Sequence, residues 1–323
     1  MEPPAKCLIL ASSGPPPDFP TLTLYDTPIP HGSSFPYLGV SFGSDGTIDA
    51  QLLVQRNAHA EVSAMRTFHS ISVLPTGLGR LLCSRLYSQF IRPKMMYGLA
   101  ICTFNKKHRQ ILESAQSTCL RMIYGAHHKS STVVMAHLAN LPSMTERITI
   151  LQAKLLLRAY NLPGDALLTA IIPLIQRARN GSWYKLKTNN LIWRQLPLPR
   201  SETTTLELNS AIRSYRRDIY KHRCRRRYSK LINQCRKSLG LDPILKLPMS
   251  RLERSLCIRW RLGWLPSIKP LPCPKCSQIT SSRRHLANCF DFNHRLRAPR
   301  TVDYPISFIL NRLPKALPNL QLR

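Results

Sequence analysis

The chain has 323 residues, 43% of them apolar, which is enough to bury real cores and leaves room for two domains. It carries 47 Lys and Arg against 16 Asp and Glu, a formal net charge of +31. An excess that large repels itself unless a polyanion neutralises it, and nucleic acid is the expected polyanion because phosphates attract Lys and Arg whatever the base sequence.

Anionic membrane is the competing polyanion, but no uninterrupted apolar span of about 20 residues is present, so no membrane partner is expected. A secretory leader is not expected either, since Pro3 and Pro4 precede only a short apolar run. Ten cysteines, three in one cluster and the rest scattered, suit a reducing compartment, the nucleus or cytoplasm, better than a disulfide scaffold.

Residues 1–36 hold nine prolines and few charges, which excludes a helix and limits any sheet to edge strands. Cys7–Leu10 and Leu22–Tyr25 read as short strands around the loop Ser12–Pro17. Phe35–Phe42 alternates into the turn Gly43-Ser44-Asp45-Gly46, which suggests a strand entering a hairpin or a helix. From Ile48 the period becomes helical, with Leu52, Leu53, Val62, Met65, Phe68 and Ile71 on one face and a stop before Pro75. A second helix is expected from Gly77 to Ile91, burying Leu78, Leu81, Leu82, Leu86 and Phe90 and ending at Pro93. A third should run from Lys106 to Tyr124, with Ile111, Leu112, Ala115, Cys119, Leu120 and Ile123 on one face and Gly125 as its stop. Further helices are expected at 131–140, 143–161 and 164–179.

The segment Arg213–Lys237 contains eleven Lys or Arg against the single Asp218. Ile212, Tyr215, Ile219, Tyr220, Tyr228, Leu231 and Ile232 interleave with them, so an amphipathic helix with a basic face is expected. Arg213, Arg216, Arg217, Lys221, Arg223, Arg225, Arg226, Arg227 and Lys230 are the candidate phosphate contacts, and Tyr215 or Tyr220 either stacks on bases or packs inward. Arg223–Arg227 also fits a nuclear-localisation signal.

Cys273, Cys276, His285 and Cys289 follow the spacing C-x2-C-x8-H-x3-C. Three thiolates and an imidazole fill a tetrahedral shell, a C-x2-C turn reaches one ion, and a His and Cys four apart share a helical face. Four protein ligands leave no open position for substrate, so a structural zinc is expected, with His294 as an alternative to Cys289. Arg283 and Arg284, just before His285, are further candidate phosphate contacts, while Trp260 and Trp264 read as packing residues. His127, His128, His59 and His69 lack acid–base partners at useful spacing, and no Ser/His/Asp triad, phosphate-cradling glycine loop or dinucleotide fingerprint is visible.

Tyr37-Leu38-Gly39, then Arg92-Pro93-Lys94-Met95-Met96-Tyr97-Gly98, then Leu112-Glu113 with Gln116, Leu120-Arg121 and Gly125, resemble the region after the palm in reverse transcriptases of non-LTR (LINE-type) retrotransposons. In that family a Y-L-G strand closes the palm, the following helices form the thumb, and a basic segment leads to a Cys/Cys/His/Cys knuckle. The resemblance covers roughly residues 5–295 in the same order. It implies a region that grips a template–primer duplex and RNA or target DNA during target-primed reverse transcription. The chain departs from the family in having no adjacent acidic pair, so the paired carboxylates that hold two metals in polymerisation are missing.

The expected architecture is therefore mainly α. It runs as a Pro-rich palm remnant with short strands (1–47), a helical thumb-like bundle (48–180), a linker (181–204), a basic helical segment (205–265), a CCHC zinc knuckle (266–298) and an irregular tail (299–323). The expected function is that of a nucleic-acid-binding fragment of a retrotransposon reverse transcriptase, without a small-molecule substrate. The alternatives are a portion of an active RNA-directed DNA polymerase split by gene prediction, or a zinc-stabilised adaptor for protein.

Overall fold

The computed structural model describes residues 7–10, 20–70, 77–179, 181–197, 203–225, 230–266, 271–277 and 281–315. The chain is mainly helical, with its only described strands near the N-terminus. Thr23–Leu24 (β1) pairs with Thr27–Pro28 (β2), and Ser34–Tyr37 (β3) pairs antiparallel with Val40–Gly43 (β4) in the register Phe35 to Phe42. The dense prolines keep these ladders to two strands each. Cys7–Leu10 supplies one bridge, Ile9 to His31; the loop Ser12–Pro17 lies outside the described residues.

The Tyr37-Leu38-Gly39 turn is held from outside the hairpin. Leu38 and Gly39 both have positive φ, and the carbonyls of these residues accept from Tyr97 and Arg56 respectively. Gly98 sits opposite with φ +72°, and a Cβ there would meet Val40 Cγ2 at 3.2 Å and Leu53 Cδ1 at 3.3 Å. Glycine is required at that point by both conformation and space.

Ala50–Ser70 (α1) packs along Lys106–Tyr124 (α4). The buried face of α1 is Leu53, Val54, Asn57, Ala58, Glu61 and Met65, rotated from the expected one so that Leu52 is exposed. Asn57 donates to the carbonyls of Met95 (3.0 Å) and Tyr97 (2.7 Å), which fixes the end of the next helical segment against α1. α4 runs over the expected span: Asn105 caps it by accepting from the His108 N–H, and Gly125 ends it in the left-handed conformation.

The second helix differs from expectation. Arg80–Leu86 (α2) passes through a π turn at Tyr87–Ile91 into Arg92–Met96 (α3), so the helical path continues beyond Pro93. An α-helical proline clashes with the carbonyl four residues back, and the wider turn relieves that clash. The buried face is Cys83, Tyr87, Ile91 and Met95, and Leu78, Leu82 and Phe90 are exposed.

Tyr87 brings a carboxylate into this core: its hydroxyl donates to Glu61 Oε1 at 2.7 Å, and Glu61 is fully inaccessible. Burial is the main cause that pushes the Glu61 carboxyl up to about 8, against the smaller opposing pulls of Tyr87 and Arg92. The folded chain therefore holds a proton that the unfolded chain releases near pH 4.5, so this stabilisation is complete below pH 4.5 and is lost as pH rises through about 8. Glu61→Gln should match the parent at about pH 4 and exceed it by on the order of 3 kcal/mol above about pH 8.5, read as a difference in urea unfolding free energy at the two pH values.

Thr132–Leu138 (α5) and Met144–Tyr160 (α6) follow, the latter opened by a reciprocal capping box between Ser143 and Glu146. Leu167–Arg177 (α7) comes next. The segment expected to be a linker instead contains Ser182–Asn189 (α8) and Leu191–Arg194 (α9). Asn190 explains the break between them: its side chain accepts from the N–H groups of Ile192 and Trp193 and donates to the Thr149 carbonyl at 2.8 Å. That anchor seats Trp193, wholly buried, in a core shared with α6 and Thr205–Arg225 (α10).

The C-terminal half does not form a separate body. Ile232 of Lys230–Asn233 (α11), Ile244, Ile258 and Trp260 of Arg251–Arg261 (α12) and Leu310 join Met65, Cys119, Ile123 and Val134 in one cluster. Where an irregular tail was expected, Pro305–Arg312 (α15) forms a helix. Its Ser307 accepts from Trp260 Nε1 at 2.9 Å, and Arg236 donates to the Asn311 carbonyl at 2.8 Å. Gln234 gathers these parts: its backbone carbonyl accepts from Arg261 (2.8 Å) and Asn311 (3.2 Å), and its side chain accepts from Arg283 (2.9 Å). Among the described residues no helix is long and apolar enough to cross a membrane.

Candidate metal centre and nucleic-acid interface

The knuckle is built from two local turns. Cys273–Cys276 bends so that the Ser277 N–H donates to the Cys273 carbonyl at 2.8 Å. Arg283–Cys289 (α13) begins at Ser282, whose hydroxyl accepts from the His285 N–H, and this single helix carries both His285 and Cys289. The four ligand atoms of Cys273, Cys276, His285 and Cys289 lie within 4.8 Å of one another. Cys273 Sγ and Cys289 Sγ are 3.7 Å apart, and Cys276 Sγ is 3.3 Å from His285 Nε2.

Those separations fit a metal. A tetrahedral zinc with sulfur ligands at about 2.3 Å places two sulfurs roughly 3.8 Å apart, whereas a disulfide would need about 2.05 Å. The thiol of Cys273 is prepared for coordination. Desolvation raises its pKa, but the N–H groups of Lys275 and Cys276 and the side chains of His285 and Cys289 outweigh it and bring it to about 6. Desolvation pushes Cys289 the other way, to about 11, helped by the neighbouring Cys273 and Cys276. A cation at the centre would offset that crowding of sulfur charge. His294 lies outside the cluster; it is exposed and faces Asp291 at 3.9 Å. The described residues bring no second group of three or more such side chains together.

Arg283 has a different environment from the one its position suggests. Its guanidinium stacks on Trp260 at 4.2 Å and donates to Gln234 (2.9 Å), to the Leu265 carbonyl (2.7 Å) and to the Trp260 carbonyl. These bonds consume the donors that a phosphate would use, and they tie the knuckle helix to α12. Trp264 points elsewhere, donating to Ser130 Oγ at 3.0 Å. Arg284 remains largely exposed beside Asp303 at 3.4 Å.

On α10 the basic residues divide by helix face. Arg216 donates to Asn140 Oδ1 at 2.9 Å, and Arg223 donates to Ser143 Oγ at 2.9 Å and approaches Glu146 at 3.5 Å, so both are turned toward α5 and α6. Arg213, Arg217, Lys221 and Arg225 are exposed. They recur every fourth residue, along about 18 Å of one helix flank. Lys230 is exposed at the start of α11. Arg226 and Arg227 lie outside the described residues.

Both tyrosines of α10 pack inward. Tyr215 is buried with its hydroxyl 3.5 Å from Thr149 Oγ1, and Tyr220 stacks on His137 at 4.9 Å while donating to the Arg236 carbonyl. The stacking role is thus not available to Tyr215 or Tyr220 in this arrangement. His127 and His128 lie exposed in the loop after α4.

Comparison with protein-family models, with curated proteins and with solved structures returns no match.

Proposed function

We propose that the chain binds RNA or DNA through the exposed cationic flank of α10, as the zinc-stabilised, non-catalytic C-terminal portion of a non-LTR retrotransposon reverse transcriptase. The observation that carries this is the division of α10. Its tyrosines and two arginines satisfy the interior, while Arg213, Arg217, Lys221 and Arg225 face solvent, and among the described residues only the weak, exposed Asp218–Lys221 pair at 3.8 Å offsets them. Four cations in a row on a chain of net charge +31 cost self-repulsion that phosphate removes.

Contacts among the resembling blocks support the family reading. Tyr97 of the Arg92–Gly98 block bonds to Leu38 of the Tyr-Leu-Gly turn. Arg92 and Gln116 both donate to the Pro142 carbonyl, at 2.6 and 3.3 Å, and Glu113 accepts from the Thr145 N–H at 2.9 Å. Blocks separated by dozens of residues thus meet in one place.

The four-fold variant Arg213→Gln/Arg217→Gln/Lys221→Gln/Arg225→Gln should lose on the order of 100-fold in duplex affinity near 0.1 M salt, with the salt slope reduced by about 3. An equal reduction of charge at exposed Lys154, Arg158, Arg177 and Arg179 serves as control and should cost less than about fivefold. Equal losses in both would reduce the α10 flank to non-localised attraction. Salt-insensitive protein capture with no nucleic-acid affinity would favour the adaptor alternative.

A further inference from the structure

α4 presents a second surface that the α10 flank does not include. An open groove of about 690 Å³ is lined by Phe104, Lys106, Arg109, Gln110, Glu113 and Thr145. A cavity of about 190 Å³ shares Glu113 with it and continues past Gln116 and Ser117 to Arg223. The α4 positions that line the two, from Lys106 to Leu120, recur three or four residues apart, one face of the helix, over about 21 Å.

The chemistry of the groove alternates. Lys106 is exposed at one end, and no carboxylate pairs with Arg109 among the described residues, whose Nε is buried without a partner. At the middle, Glu113 keeps its carboxylate in place through the Thr145 N–H, which bars an anion there and welcomes an amino, imide or hydroxyl donor. Arg223, already engaged by Ser143 Oγ and Glu146, closes the far end as a wall and not as an anion site. A ligand must therefore be anionic at the Lys106 and Arg109 end and a hydrogen-bond donor beside Glu113. The 690 Å³ groove is of small-ligand size, which suits one strand and not a duplex.

We infer that this groove seats a single strand of nucleic acid, with phosphates beside Lys106 and Arg109 and a sugar or base edge donating to Glu113; this rests on the nucleic-acid-binding function proposed above. An acidic peptide matches the cations but not Glu113, where its carboxylates would be repelled.

The test uses the full chain with a fluorescent mixed-sequence single strand of about 12 nucleotides and a duplex of the same length, titrated across a salt series. Lys106→Gln/Arg109→Gln should lower the single-strand salt slope by about 1.4 and the affinity on the order of tenfold near 0.1 M salt, with duplex binding within twofold. Gln110→Trp, a charge-neutral change at an exposed position, should occlude the groove and weaken the single strand in the same direction. Unchanged thermal midpoints exclude misfolding as the cause. Single-strand binding that survives both variants, equal loss of single strand and duplex, or displacement of the strand by an equimolar glutamate-rich peptide would each overturn the inference. The α10 variant keeps the two claims apart: its failure to weaken duplex binding sinks the proposed function and leaves the single-strand result to be read alone.

Discussion

Replacing Arg261 with methionine is expected to lower the unfolding free energy by about 3–5 kcal/mol, because it strands a buried carboxylate. Arg261 and Asp242 are 3.6 Å apart, with side chains 1% and 2% exposed. Asp242 has structural duties that keep it there: Oδ1 accepts from the Ile244 N–H at 3.1 Å, and its own N–H donates to the Leu138 carbonyl at 2.9 Å, joining the 243–245 turn to α5. Without the guanidinium, the carboxylate must stay charged in an apolar cluster, take up a proton or break the turn, and each costs stability.

The double variant separates charge burial from lost packing. Asn at 242 can still cap Ile244 but carries no charge, so Arg261→Met/Asp242→Asn should return to within about 1.5 kcal/mol of the parent. Either single substitution alone should be the worse protein. A double-mutant cycle by urea unfolding measures this directly, and a coupling below about 0.5 kcal/mol would show that the pair is not acting as a pair.

That ion pair was not legible in the sequence, and the reason is instructive. Asp242 lies in a loop and Arg261 at the end of a basic helix, so nothing local distinguishes them from solvated charges; only the shared cluster of α5, α12 and α15 makes them partners. Features written in neighbouring residues fared better. Asn105 and Gly125 bracket α4 because a cap and a left-handed stop act within a turn or two of themselves, and the knuckle's spacing is a local property that the geometry reproduces.

Where tertiary context decides, the local pattern misleads in specific ways. The helix begins at Arg80, three residues later than the pattern suggests, and buries Cys83, Tyr87 and Ile91 in place of Leu78, Leu82 and Phe90, while a π turn carries it on through Pro93. Trp193 sits in a short run between Asn190 and Pro197 that reads as linker until Asn190 anchors it to α6. Arg283 stands where a phosphate contact would, yet its donors close the joint between knuckle and α12. A count of cations cannot separate Arg216 and Arg223 from Arg213 and Arg217; the helix phase relative to α6 does.

The joint at Arg283 also sets how far the chain should come apart if the zinc proposed for the knuckle is withdrawn. Between Cys273 and Cys289 the buried side chains among the described residues are Cys273 and Ala287, too little apolar surface to hold seven residues of α13 by packing. Binding of metal to three cysteines and a histidine is then folding free energy for this segment. One zinc per chain is expected by native mass spectrometry, lost on chelation, lost in Cys276→Ser and His285→Ala, and retained in His294→Ala. On chelation, amide exchange over 281–289 should accelerate by at least about 100-fold, while α1, α4 and α6 keep their protection because their cores include no ligand residue. Arg283 should mark the boundary: with its guanidinium still stacked on Trp260, protection in α12 survives, and Arg283→Ala should let the loss spread into α12 and α15 through Gln234. Global unfolding on chelation of the parent chain would instead make the knuckle part of the central core, and exchange unchanged by chelation would mean the four side chains hold no structural metal.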